Sequence, residues 1–199
     1  MSSDASADRI LRHAAPDRVF HWVTALCMLA LLATGLLPVI GIKFPWILIH
    51  WVAGVLLTLA ILFHIARSLS LAKLCSMWIG ARDLRGERAG KYTLAQKLMH
   101  VAMSVMVLLA IGTGLPMMVR IDTPFWERDP YFFAESTWGV IYVLHGFSAL
   151  LAVTLVMIHI YFGLLPEYRH YLRAMWRGWI TRADLAAHHD PARWPGAPK

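Results

Sequence analysis

Charge is what this 199-residue chain has least of. Only 16% of its residues are charged, against 58% apolar, a balance that excludes an ordinary soluble domain and fits a membrane protein. The shortage is concentrated. Four stretches, 19–37, 46–66, 98–119 and 136–165, contain no Asp, Glu, Lys or Arg. Each has about the 20 residues that a bilayer-crossing helix needs. They are too long and too evenly apolar to be amphipathic surface helices. Cysteine is scarce too. Cys27 lies inside the first stretch and Cys75 beyond the second, which excludes a disulfide framework and a cysteine-held iron–sulfur cluster. The first stretch starts late and ends without a small-residue cleavage motif, so it reads as a retained span and not as a cleaved signal.

The basic residues are unevenly placed. Residues 1–18 hold three Lys or Arg, 67–97 hold seven and 166–199 hold six, so sixteen of the nineteen fall on one side of the four spans. Lys43, Arg120 and Arg128 are the exceptions. The positive-inside rule therefore puts both termini and the 67–97 loop in the cytoplasm of a bacterial inner membrane protein, with loops 38–45 and 120–135 facing outward. The net charge of +7 is a topology signal. Nothing else points to nucleic acid. Asp122, Glu127, Asp129 and Glu135 make the second outer loop acidic, either as a surface for a partner or as an ordinary solvated loop.

The expected fold is all-α, a transmembrane four-helix bundle with a cytoplasmic C-terminal interfacial helix. Residues 1–18 form an N-terminal tail, 19–165 the membrane domain and 166–199 a C-terminal tail. Ser2, Ser3, Asp4 and Ser6 make the chain start polar and flexible. Part of the 67–97 loop, around Leu71 to Ile79, suits an interfacial helix that Gly86 and Gly90 would end. EYRHYLRAMWRGW, 167–179, mixes Arg with Tyr and Trp at helical spacing and suits a helix on anionic headgroups. HHDPARWPGAPK, at the end, is Pro-rich and reads as extended or disordered.

Inside the apolar stretches one polar residue type recurs. HWVAGVLLTLAILFH (50–64) and HGFSALLAVTLVMIH (145–159) each carry a histidine at both ends. There is a second echo. His21 is followed by Thr34, Gly35 and Pro38, and His100 by Thr113, Gly114 and Pro116, with fourteen residues from histidine to glycine in both. The chain thus reads as two related helix hairpins. Fourteen residues are just under four turns, so the two rings of each pair lie within about 40° on the helix face and about 21 Å apart along the axis. That is most of the hydrocarbon thickness. The second and fourth spans each offer one histidine near either membrane surface.

Haem iron takes two axial imidazoles, an arrangement suited to electron transfer because no position stays open. Zinc wants four ligands close together, often thiolates. Proton relays come with intramembrane carboxylates, absent here. The competing reading is a set of histidines hydrogen-bonded between helices. On the outer side only His50 and His145 are available. On the inner side His21, His64, His100 and His159 compete. His159 shares a face with His145 and is the first candidate; its partner is His64, which shares a face with His50, or His21. Gly54 and Gly146 beside the outer histidines would admit a porphyrin or a neighbouring helix.

The chain resembles the cytochrome b (gamma) subunit of membrane-bound formate dehydrogenases, within the di-haem transmembrane cytochromes b. The resemblance runs from about Asp17 to Trp194. It is carried by DRVFHW (17–22), ILIHWVAGV (47–55), GKYTLAQK (90–97), VLHGFSAL (143–150), VMIHIY (156–161) and AMWRGWITRADLAAHHDPARW (174–194). It implies two haem b groups, the outer held by His50 and His145 and the cytoplasmic by His21 and His159. His64 and His100 are extra to that pattern, with an interhelical hydrogen-bonding role as the default and proton delivery or quinone contact as the alternative. The resemblance further implies quinone reduction near the cytoplasmic haem by the segment KYTLAQK. There Thr93 stands for the family's Asn and Ala95 for its Gly, while Gln96 matches. A Thr93 hydroxyl still hydrogen-bonds a quinone oxygen, or it caps the third helix.

By that resemblance the chain is an electron-transfer subunit. A molybdenum or tungsten partner oxidises formate, an iron–sulfur partner passes electrons to the outer haem, and quinone is reduced on the cytoplasmic side. Two other redox readings share the plan: a stand-alone di-haem oxidoreductase passing electrons from superoxide or another small reductant to quinone, and a cytochrome b anchor for a hydrogenase or a thiosulfate or sulfite enzyme. A transporter or structural membrane protein is the non-redox alternative. The formate-type tail favours the formate dehydrogenase reading.

Overall fold

The computed structural model describes residues 8–69 and 76–194. The polar start at Ser2 to Ser6, Cys75 and most of the Leu71–Ile79 segment lie outside the described residues. Four helices are long and apolar enough to cross a membrane. They are α1, Ala15–Leu36; α2, Trp46–Ser68; α4, Leu94–Met117, extended by a 3-10 turn over Met118–Arg120; and α5, Glu135–Leu164. The short helix α3, Ala81–Leu84, lies between α2 and α4. After α5 come a 3-10 turn at Pro166–Tyr168, helix α6 (Arg169–Arg177), helix α7 (Arg182–His188) and a 3-10 turn at Pro191–Arg193. The observed helices begin one to four residues before the charge-free stretches in three cases, because a helix tolerates charge in its first turn: Asp17 in α1 and Glu135 in α5 favour the positive end of the helix dipole.

By contacts the chain divides into two units. One comprises 23–62 and 101–157. Its core is Cys27, Met28, Leu57, Met106, Val107 and Ala152. Many large apolar side chains of the long helices stay outward, among them Leu26, Leu56, Leu59, Val105 and Leu150. That pattern is normal for helices whose outer solvent is lipid. Past α4, Trp138 is fully buried, donates its indole N–H to the Pro130 carbonyl at 3.1 Å and lies under the Arg120 guanidinium at 5.1 Å. Two of the four acidic residues of the 120–135 loop are engaged locally: Asp122 accepts the Arg128 N–H and Asp129 the Tyr131 N–H.

The other unit comprises 1–22, 63–100 and 158–199, and it holds what the sequence did not announce. Residues Arg9–Leu11 (β1) pair antiparallel with Trp179–Thr181 (β2), with Ile10 opposite Ile180. The N-terminal segment is thereby tied to the tail. Ile10, Ala174, Ile180, Leu185 and Trp194 form a small core there. Gly178 ends α6 with φ of 90°, the left-handed region, and its carbonyl accepts the N–H groups of Arg12 and His13. A Cβ at Gly178 would meet the His13 carbonyl oxygen at 2.9 Å, so only glycine fits both the turn and the approach. The tail does not run extended or disordered up to Trp194, as its prolines led us to expect. Pro191 sits at the start of its 3-10 turn, where a missing N–H costs nothing, and Asp190 accepts the Ala192 N–H.

Two polar constellations lock this unit. Arg12, only 3% exposed, has no carboxylate at its guanidinium among the described residues. It donates instead to the Lys91 carbonyl at 2.8 Å and faces His189 Nε2 at 3.1 Å, with the rings of Tyr171 and Trp194 at 4.6 and 5.2 Å. His189 is fully buried, and its Nδ1 donates to the Gly90 carbonyl at 2.6 Å. Its Nε2 is therefore the acceptor, for Arg12 and for the Tyr171 hydroxyl at 3.1 Å. Nearby, Lys97 and Asp83 form an ion pair at 2.9 Å, both almost wholly buried. The Lys97 ammonium and then the Gly80 N–H hold the Asp83 carboxyl below its usual range.

Breaking a buried pair leaves one charge stranded. Asp83→Ala is expected to lower stability by about 3–5 kcal/mol, while Arg128→Ala, an exposed pair with Asp122, changes it by less than about 1 kcal/mol; thermal unfolding in detergent measures both. Burial, and then Arg12, push His189 down from 6.5 to about 4, and the same two causes push His13 to about 3. The unfolded chain thus binds more protons than the folded one below about pH 6.5, so stability is full above that value and falls toward pH 4. Tm is expected to drop between pH 7.5 and pH 5, and to drop less in His189→Gln.

Candidate haem site

The six intramembrane histidines gather in pairs. His50 of α2 and His145 of α5 have ring centres 6.2 Å apart with planes at 73°. His21 of α1 and His159 of α5 stand at 6.1 Å and 56°. His64 of α2 and His100 of α4 stand at 6.3 Å and 57°. On the inner side, where spacing alone left two partners open, the ring beside His159 is that of His21, and the ring beside His64 is that of His100.

The outer pair is the most fully built. Thr34 Oγ1 lies 2.8 Å from His50 Nδ1, and Thr113 Oγ1 lies 2.9 Å from His145 Nδ1. Each hydroxyl has one proton, and each gives it backward along its own helix, to Ala30 and Leu109 carbonyls at 2.7 Å. The threonine oxygen must then accept from the imidazole. Nδ1 carries the ring proton in both histidines, and Nε2 is left with its lone pair. That is the tautomer a metal needs, fixed by an outer hydrogen bond as in metal-bound imidazoles. The glycines of the sequence echo serve the same rings. A Cβ on Gly114 would stand 3.2 Å from His145 Cε1, and one on Gly35 3.7 Å from His50 Cε1. Gly54 and Gly146, singled out beside the histidines, do not pack on these rings: a Cβ on Gly54 would touch only Leu31, and one on Gly146 nothing.

Two imidazoles facing each other suit one kind of centre. A metal–imidazole bond is about 2.0 Å, and the coordinating nitrogen lies roughly 1.1 Å from its ring centre, so one metal between two rings sets the centres about 6 Å apart. All three pairs meet that distance. Among the described residues no three His, Cys, Asp or Glu come together as a metal site. Two imidazoles at this spacing, without a third such ligand among the described residues, suit an iron whose other positions a porphyrin would fill.

Thr93 and Gln96 are also found together. The Gln96 side-chain oxygen accepts the Thr93 N–H at 3.1 Å, and the Thr93 hydroxyl accepts the Gln96 N–H at 3.2 Å, a reciprocal cap on α4. The capping role expected as an alternative for Thr93 is therefore present. The sequence reading missed Arg12, which reaches Gln96 Oε1 at 3.4 Å. Its only signal was an arginine seven residues before the first charge-free stretch.

The family described as prokaryotic cytochrome b561 matches residues 12–178. Among curated proteins, the chain is 26% identical to the "formate dehydrogenase, cytochrome b556(fdo) subunit" of Escherichia coli K12, over 94% of this chain and 92% of that protein. It is 23% identical to the "formate dehydrogenase, cytochrome b556 subunit" of Haemophilus influenzae, over 94% of this chain and 82% of that one.

The threonines give the first test at this site. Thr113→Val removes the acceptor for His145 Nδ1–H and is expected to weaken haem binding at the outer pair by about 10–100-fold. Thr113→Ser keeps the oxygen and the binding. Titrating haem into the apoprotein and following the Soret band distinguishes the two.

Proposed function

Because this chain belongs to the prokaryotic cytochrome b561 family, we propose that it is the membrane cytochrome b subunit of a formate dehydrogenase-type complex, holding two haem b groups and delivering electrons to quinone. Family membership implies haem b. The observation that carries the reading is the outer pair: two imidazoles at metal-spanning distance, each with Nδ1 tied to a threonine and Nε2 left for iron. His50 and His145 hold the outer group, and His21 and His159 the cytoplasmic one.

When bound, haem b would supply a one-electron couple, held by the paired histidines. The chain does the rest. Thr34 and Thr113 hold the outer rings in one tautomer. The apolar faces of α1, α2, α4 and α5 exclude water. In this reading both termini are cytoplasmic, as the basic residues direct. Electrons enter from the side of loops 38–45 and 120–135, supplied by an iron–sulfur subunit, with a molybdenum or tungsten subunit oxidising formate. The relatives' names support such a complex. Quinone is reduced near the segment 91–97, where Thr93 and Gln96 are the candidate contacts. Both cap α4 through their oxygens, so Thr93 can offer its hydroxyl proton and Gln96 its side-chain amide N–H to a quinone oxygen with the cap in place.

His145→Ala is expected to lose one b-type haem per chain and to abolish quinone reduction by formate in the assembled complex, with the inner haem spectrum retained. The reduced-minus-oxidised spectrum and the haem content per polypeptide measure this. A variant with its full complement of haem would refute the outer assignment.

A further inference from the structure

His64 and His100 are not used by the two haems proposed above, yet their arrangement repeats that of the inner pair. The sequence echo gives the relation. Adding 79 to His21, Thr34 and Gly35 gives His100, Thr113 and Gly114, and adding 95 to His50 and His64 gives His145 and His159. The first span therefore corresponds to the third, and the second to the fourth. Exchanging them turns the Thr34–His50 contact into Thr113–His145, and both are present, at 2.8 and 2.9 Å. It turns His50–His145 into itself. It turns His21–His159 into His100–His64, and these agree in spacing, 6.1 and 6.3 Å, and in plane angle, 56° and 57°.

We infer that His64 and His100 are the axial ligands of a third haem b, the internal-repeat counterpart of the group held by His21 and His159. The inference rests on the haem reading of the other two pairs. A hydrogen bond directly between the two rings, one form of the interhelical role expected by default, does not suit this spacing. Ring centres 6.3 Å apart match the spacing that one metal ion between two imidazoles sets. The donor set among the described residues is also the same, two imidazoles with no group of three His, Cys, Asp or Glu, and a porphyrin would complete the coordination as at the other pairs. Phe20 stacks on His64 at 4.3 Å with planes 10° apart and sets the orientation of that ring. Ser68 Oγ lies 3.5 Å from His64 Nε2, at the limit of a hydrogen bond. It moves aside by rotation about one bond.

The test is a haem count on the full-length chain purified in detergent, from cells supplied with iron and haem precursor. Pyridine haemochrome gives haem per polypeptide, and low-spin ferric EPR resolves the sites. Three haems per wild-type chain are expected. His64→Ala and His100→Ala are each expected to give two, losing the same EPR signal, whereas His145→Ala loses a different one. Two haems in wild type, with His64→Ala also at two, would overturn the third site while leaving the proposed function intact. Two in wild type and one in His64→Ala would overturn it as well, by making His64 a ligand of one of the two. No haem in folded wild type would remove the haem reading altogether. Should the alanine variants fail to fold, His64→Met keeps an axial donor: three haems with one histidine–methionine spectrum support the site, and an unchanged spectrum opposes it.

Discussion

An imidazole inside a membrane has two nitrogens to satisfy and no water to do it. In this protein a threonine hydroxyl, its own proton already committed to a backbone carbonyl, takes the proton of Nδ1 and leaves Nε2 with one possible use. Everything around the outer pair follows from that bond. The threonine must sit one helix away at the ring's height, the next residue must be glycine to let the ring in, and the spans must hold their relative register to keep both. An unmet imidazole nitrogen in hydrocarbon is costly. The same bond that readies Nε2 for a metal therefore makes that nitrogen costly to leave unpartnered.

Much of this was readable in the residues. Four charge-free stretches of the right length forced four spans, and the skew of sixteen basic residues to one side gave their expected direction. The Thr-Gly echo was visible as a pattern, but its purpose was not. Thr34 serves a ring sixteen residues on, and Thr113 one thirty-two residues on. Only the packing of neighbouring helices shows that these oxygens face Nδ1. The choice between His21 and His64 was likewise closed to helical arithmetic, because both stand at the right depth. It depends on which helices adjoin, a tertiary fact.

The tail was misread for a local reason. Proline and a short run of polar residues give no periodicity, so 188–194 looked unstructured. Its order comes from far away: β1 supplies the strand that β2 needs, and Arg12 and Gly90 supply the partners of His189. Three-residue strands have no sequence signature of their own. The segments 90–97 and 174–194, which carried much of the family resemblance, are the ones that meet in this latch. Part of that likeness is thus explained by folding, since Gly90, Gly178 and His189 each answer a specific steric or hydrogen-bonding demand.

Arg12 and His189 are 177 residues apart in the chain and 3.1 Å apart in space. A ribosome delivers Arg12 long before His189. The rings of His64 and His100 can meet once the third span is made, and those of His50 and His145 when the fourth begins. Those of His21 and His159 wait for its far end, and the Arg12 latch waits for His189. Synthesis therefore makes the partners available in a fixed order: each pair of rings in turn, and the latch of Arg12 with His189 after all of them.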